Sequence, residues 1–190
     1  MDIHGWEQRY RSKERASEDF DAPPTPLLVE TANGLKPGKA LDLACGTGRN
    51  ALWLAAHGWS VTAIDAAPSA IDTLRNQASR LGIHVDARQA DLERGEYRIE
   101  HSCWDLVAIC YYLQRDLFEP AKRGVVPGAV LLAIVHITEP GEEPTRTRAT
   151  PGELASYFND WEILHYYEGK PDDTAHRRSV AEIVARRRDH

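Results

Sequence analysis

The run Leu41-Asp42-Leu43-Ala44-Cys45-Gly46-Thr47-Gly48-Arg49-Asn50 narrows the fold more than any other stretch of this chain. An apolar strand leads into two closely spaced glycines. A helical pattern follows at once, with apolar residues at 51, 52, 54 and 55 and Gly58 where a helix C′ residue belongs. Glycine lets a backbone approach a ligand where a Cβ would collide, and the helix behind it offers unpaired N–H donors at its N-terminus. Such a turn lies at the carboxyl end of a strand, which is where open α/β sheets bind ligands.

The rest of the chain continues the alternation. Val61-Thr62-Ala63-Ile64, Trp104 to Cys110 and Ala129 to Ile137 predict further strands, short and rich in Val, Ile and Leu as buried parallel strands are, and Ile83 to Arg88 predicts a strand after the second helix. Pro68 stands at a helix N1 position, and Ile71, Leu74, Ala78 and Leu81 share one face closed by Gly82. Trp161 to Tyr167 and Ser179 to Ala185 are joined by a loop, Glu168 to Asp173, with no room for a crossover helix, so they are expected to pair antiparallel. The expected fold is α/β: a Rossmann-like, doubly wound, mostly parallel sheet of about seven strands ending in an antiparallel C-terminal hairpin. One domain is expected over residues 1–190, with its core over 39–190. Residues 1–26 are expected to hold a short helix, His4 to Ser12, bearing Trp6 and Tyr10, then a Pro-rich connection, Ala22-Pro23-Pro24-Thr25-Pro26, the whole acting as a lid. Glu139 to Pro151 reads as an exposed loop and Arg186-Arg187-Arg188 as solvated charge past the last strand.

Composition excludes several classes of function. No apolar run approaches the roughly 20 residues that cross a bilayer, so no membrane partner is expected. The formal charge of −6 speaks against a protein that tracks phosphates, so no nucleic-acid partner is expected. Cys45, Cys103 and Cys110 form no CxxC pair and lack histidines at ligand spacing, which predicts neither a disulfide nor a metal site. The opening Met1 to Trp6 lacks a basic segment followed by an apolar one, from which a cytoplasmic location is expected. The expected assembly is a monomer or homodimer.

Two cofactors compete for the glycine loop. Gly46-Thr47-Gly48-Arg49-Asn50-Ala51 fits GxGxxA, the fingerprint of an NAD(P)-binding oxidoreductase. Asp65, nineteen residues after Gly46, serves either cofactor, because a carboxylate ending the second strand can accept both ribose hydroxyls. Asp42 inside the first strand and Asp91-Leu92 after the third are not part of the dinucleotide fingerprint. They suit S-adenosylmethionine, with Asp42 orienting the loop on the methionine side and Asp91 accepting the adenine amine. Plainer roles stand beside these: Asp65 as a cap for the helix beginning near Pro68, and Asp91 as a turn cap. Asp42, buried in a strand, needs donors in any reading.

With these residues in place, LDLACGTGRNALWLAAHGWSVTAID resembles class I S-adenosylmethionine-dependent methyltransferases, and within them the tellurite-resistance (TehB-like) branch. Gly48-Arg49-Asn50, the run Thr150-Pro151-Gly152-Glu153-Leu154 to Trp161-Glu162, and Trp6-Glu7-Gln8-Arg9-Tyr10 carry the narrower likeness. The resemblance implies S-adenosyl-L-methionine as cofactor. The contacts expected on that footing are Asp42, Ala44, Gly46, Gly48, Arg49 and Asn50 in the loop, Asp65 and Ala66 after the second strand, Asp91 and Leu92 after the third, Cys110 after the fourth, and Tyr10 from the N-terminal segment.

The resemblance further implies a small-molecule acceptor, a soft nucleophile of the thiol, tellurite or selenite type. Another small metabolite or a protein is the alternative acceptor. Cys110-Tyr111-Tyr112-Leu113 stands where nucleic-acid amino-methyltransferases often carry Asn/Asp-Pro-Pro-Tyr/Phe, which again speaks against DNA or RNA. No catalytic group is fixed by the sequence. His136, near the end of the fifth strand, and Arg115, Arg148 and Arg177 are the leading candidates, with Arg146, His176 and Arg178 beside them, since guanidinium forks suit compact anions.

Overall fold

The computed structural model describes Gly5, Glu7, Gln8 and Tyr10, residues 22–143 and residues 145–189. Trp6, on which half of the lid expectation rests, lies outside the described residues. Two compact units divide the chain after Arg98.

In the first unit, α1 (Pro26–Asn33) precedes β1 (Lys39–Leu43), α2 (Arg49–Ala56), β2 (Ser60–Asp65), α3 (Pro68–Leu81) and β3 (Asp86–Gln89). β1 runs parallel to β2 with Leu43 opposite Ile64, and β2 runs parallel to β3 with Asp65 opposite Gln89. Ala40, Leu41, Leu43, Ala63 and Ile64 are wholly buried, as strands covered on both faces must be. The helix signals act where expected: Pro68 opens α3, and Gly82 closes it in the left-handed conformation. β3 starts three residues later than the apolar pattern suggested. The Ile83 N–H is taken by the Ala78 carbonyl as part of the α3 cap, so the chain is not released to pair until Asp86.

The second unit holds β4 (Trp104–Cys110), a single 3₁₀ turn (Arg115–Leu117), α4 (Phe118–Gly124), β5 (Val125–His136), α5 (Glu153–Ser156), β6 (Glu162–Gly169) and β7 (Val180–Arg186). β4 and β5 are parallel. β7 pairs antiparallel with β5, Leu132 opposite Val184, and β6 pairs antiparallel with β7. The seven-stranded mixed sheet has the order β3-β2-β1-β4-β5-β7-β6, the α/β arrangement with an antiparallel C-terminal hairpin that the sequence predicts. β5 begins four residues before the apolar run, because Val125 pairs with Trp104 ahead of an exposed Pro127-Gly128 kink.

Two surface expectations need correction. The 139–151 loop is not simply exposed: Ala149 is fully buried, its N–H bonds the His136 carbonyl, and its carbonyl accepts from Thr138. Arg187 is not merely solvated charge. Its backbone continues the ladder to Gly128 and Ala129, and its guanidinium reaches Ser102 Oγ at 3.1 Å and the Val125 carbonyl. Among the described residues, no helix is long and apolar enough to cross a membrane.

Leu74 on α3 ties this packing to the glycine loop. It is wholly buried, and a Cβ built on Gly48 would fall 2.9 Å from its Cδ2. Leu74→Ala should cost about 2–5 kcal/mol, seen as a lower urea midpoint with an unchanged slope. A midpoint within error of wild type would contradict this packing.

Candidate functional site

The loop from β1 to α2 turns through three left-handed residues, Ala44 (φ 57°), Gly46 (φ 56°) and Gly48 (φ 88°). Ala44 does so despite its Cβ, a strain that persists only where surroundings enforce it. Those surroundings are visible. The Cys45 N–H bonds the Ile64 carbonyl, and the Gly46 N–H donates to Asp65 Oδ2 at 2.8 Å. Asp65 Oδ1 accepts the Ala67 N–H at 2.9 Å, so one carboxylate fastens the glycine loop and the entry to α3. Tyr10 lies over the same loop: a Cβ on Gly46 would come within 2.9 Å of its hydroxyl. Glu7 of the same segment accepts from both the N–H and the hydroxyl of Ser69 in the first turn of α3, at 3.2 and 2.8 Å.

Burial sets the electrostatics. Asp42 is 1% exposed, and its Oδ2 makes no hydrogen bond among the described residues. Burial pushes its pKa up to about 7, and repulsion from Asp65 adds to this; Arg49 and the Ala51 N–H oppose it. Asp65 is also raised by burial, against the pull of the Ala67, Gly46 and Ala66 N–H groups. Burial and both carboxylates hold the Cys45 thiol well above its ordinary value, which disfavours a thiolate there. Two crowded, half-satisfied carboxyls beside a loop of helix-terminal N–H groups match a ligand that brings hydroxyl donors and positive charge.

The other loop residues divide their work. Asn50 Oδ1 accepts the Thr25 N–H at 2.9 Å and Arg49 Nη1 donates to the Pro23 carbonyl at 3.0 Å, so both side chains fasten the Pro-rich connection. Asp91 takes the turn-capping role: Oδ1 accepts the Glu93 N–H at 2.9 Å, while Oδ2 lies 3.4 Å from Arg94 Nε. Leu92 beside it is buried, and Ala66 is half-buried after β2.

In the second unit, polar side chains gather around the ends of β4 and β5. Cys110 ends β4 half-buried. Tyr111 follows with φ 60°, its N–H on the Ile134 carbonyl at 2.6 Å and its hydroxyl donating to Asp173 Oδ2 at 2.9 Å. His176 stacks on Tyr111 with ring centroids 3.4 Å apart, and His136 lies 5.5 Å from Tyr111 and 5.3 Å from His176. Burial lowers the His136 pKa; Arg178 and, less strongly, Arg148 add to this, and the Ser179 backbone opposes it. These surroundings favour the neutral form of the imidazole.

The arginines named from sequence do not gather with these rings as free anion holders. Arg115 forms a fork on Glu153, 2.7 and 3.2 Å, and donates to the Arg146 and Arg148 carbonyls, so it pins the 139–151 loop. Arg148 and Arg178 share Glu142, at 2.7 Å each. Arg177 is exposed. Asp173, 62 residues beyond Tyr111, is the functional candidate that sequence reasoning missed. Among the described residues, no cluster of His, Cys, Asp and Glu is arranged to hold a metal ion.

A family model described as tellurite resistance protein TehB matches residues 17–178. "Probable S-adenosyl-L-methionine-dependent methyltransferase TehB" of Haemophilus influenzae is 25% identical over 175 residues, 85% of this chain and 61% of that protein. Hemagglutinin 1 of Eikenella corrodens is 27% identical over 148 residues, 74% of this chain and 49% of that protein. The crystal structure of TehB from Haemophilus influenzae has a TM-score of 0.73 at 25% identity, covering 85% of this chain and 61% of that one. The chain thus spans 49% to 61% of the length of these relatives.

The raised Asp42 carboxyl makes stability depend on pH. It binds its proton more tightly in the folded chain, so its contribution is full below the unfolded value of 3.8 and is lost as pH rises through about 7. Asp42→Asn removes this titration. The gain in urea midpoint of the variant over wild type should grow between about pH 5 and about pH 8; a difference that is constant or shrinks would contradict the burial argument.

Proposed function

Since the chain belongs to the tellurite resistance protein TehB family, we propose that it transfers the methyl group of S-adenosylmethionine to a small-molecule acceptor carrying a soft nucleophile. The observation that carries this reading is the β1–α2 loop, where Gly46 and Gly48 open the backbone beside the buried carboxyls of Asp42 and Asp65. The antiparallel hairpin of β7 and β6 supports it over a dinucleotide oxidoreductase, whose sheet is built from two parallel mononucleotide-binding halves.

When bound, S-adenosylmethionine supplies a methyl group on a sulfonium, ready for in-line displacement by a lone pair. The chain's task is then to hold and align. Asp65, already fixed by two backbone N–H groups, presents its remaining acceptor capacity to the ribose hydroxyls. Asp42, buried in β1 ahead of the loop, lies on the methionine side. Asp91 Oδ2 and Leu92 border the adenine, and Tyr10 covers the loop. Alignment of this kind contributes up to about 7–11 kcal/mol toward a barrier.

The acceptor side is assigned to the second unit, around Tyr111, His136 and His176. A neutral His136 offers a hydrogen bond without requiring a proton transfer, which suits thiolates and oxyanions of soft elements because they react without a dedicated base. Tellurite, selenite and thiols are the acceptors to try first.

Asp65→Ala should weaken binding of S-adenosylhomocysteine more than tenfold, since each hydrogen bond lost to a charged acceptor costs about 1.5–3 kcal/mol. Turnover of labelled S-adenosylmethionine with thiols, selenite and tellurite tests the acceptor in parallel. Unchanged affinity in the variant would overturn the site, and methylation of only amines, RNA or protein would overturn the acceptor class.

A further inference from the structure

Tyr111 combines three features that core packing alone does not require. Its backbone is left-handed at φ 60°, an outlier for a bulky aromatic residue. Its hydroxyl reaches Asp173, which is 4% exposed and lies in the loop between β6 and β7. Its ring lies flat on His176 of that loop, 7° from parallel. A tyrosine that merely filled space would relax its backbone.

Asp173 in turn organises the loop. Its Oδ1 accepts the Ala175 N–H at 3.0 Å, and its carbonyl accepts the His176 N–H at 3.0 Å, closing a tight turn. The buried carboxylate accepts from the Ala175 N–H on one oxygen and from the Tyr111 hydroxyl on the other. The turn delivers His176, Arg177 and Arg178 immediately ahead of β7, whose first residue, Val180, pairs with His136 at the end of β5. Tyr111 itself is fastened at the end of β4, where its N–H bonds Ile134 of β5. The strained residue therefore joins the end of β4 to the loop at a fixed spacing.

We propose that Tyr111 is a positioning residue that locks the Asp173–His176 turn, and through it His176 and His136, so that acceptor handling depends on its hydroxyl while cofactor binding does not. The inference rests on the assignment of the acceptor side to this cluster. Tyr111→Phe isolates the hydroxyl, because it keeps the ring that stacks on His176. Asp173→Asn retains an acceptor oxygen for the Tyr111 hydroxyl, whereas Asp173→Ala removes it.

Amide hydrogen exchange and steady-state kinetics on the full chain test the proposal separately. In Tyr111→Phe, exchange at the Ala175 and His176 amides should rise about tenfold, the scale of one hydrogen bond lost to a charged acceptor, with β4 and β5 unchanged. KM for selenite or a thiol should rise by a similar factor, with S-adenosylhomocysteine affinity within about twofold of wild type. Asp173→Asn should fall nearer wild type than Asp173→Ala, and Tyr111→Phe combined with Asp173→Ala should be no worse than Asp173→Ala alone. Wild-type exchange and KM in Tyr111→Phe would overturn the proposal, as would equal losses in acceptor and cofactor binding. Should the wild-type chain methylate none of these acceptors, the functional reading fails, and the exchange at Ala175 and His176 still decides whether the lock exists.

Discussion

The Asp65 carboxylate holds the Gly46 N–H on one oxygen and the Ala67 N–H on the other. Much else in the first unit depends on that pair of bonds. They keep a loop with three left-handed residues folded against the end of β2, and they set where α3 begins. The cost is a carboxyl taken largely out of water with Asp42 close by, both raised in pKa by burial. Under the proposed function, the ribose hydroxyls and sulfonium of S-adenosylmethionine would relieve that opposition.

The second unit uses a different economy of charge. Its arginines are committed in pairs and forks, Arg115 to Glu153 and Arg148 with Arg178 to Glu142, and these ties hold the loops around β5. Aromatic stacking then does the positioning, with Tyr111 between Asp173 and His176.

Elements governed by local physics were legible in the sequence. β4 coincides with the apolar run Trp104 to Cys110, and Pro68 and Gly82 bound α3 because one fixes φ for a first helical turn and the other accepts a left-handed cap. The antiparallel hairpin followed from a connection too short for a crossover. What was not legible depends on partners distant in sequence. Arg115 reads as an anion holder until Glu153, 38 residues on, is seen to occupy it. Asp173 sits in a polar run with no local signal, and its meaning comes from Tyr111, whose own strain no residue pattern announces.

On the proposed function, the β1–α2 loop binds S-adenosylmethionine rather than a dinucleotide. Titration calorimetry of the wild-type chain with S-adenosylhomocysteine, NADH and NADPH tests it directly. One-to-one binding of S-adenosylhomocysteine is expected, with no heat from either dinucleotide. Saturable binding of NADH or NADPH, with none of S-adenosylhomocysteine, would contradict it.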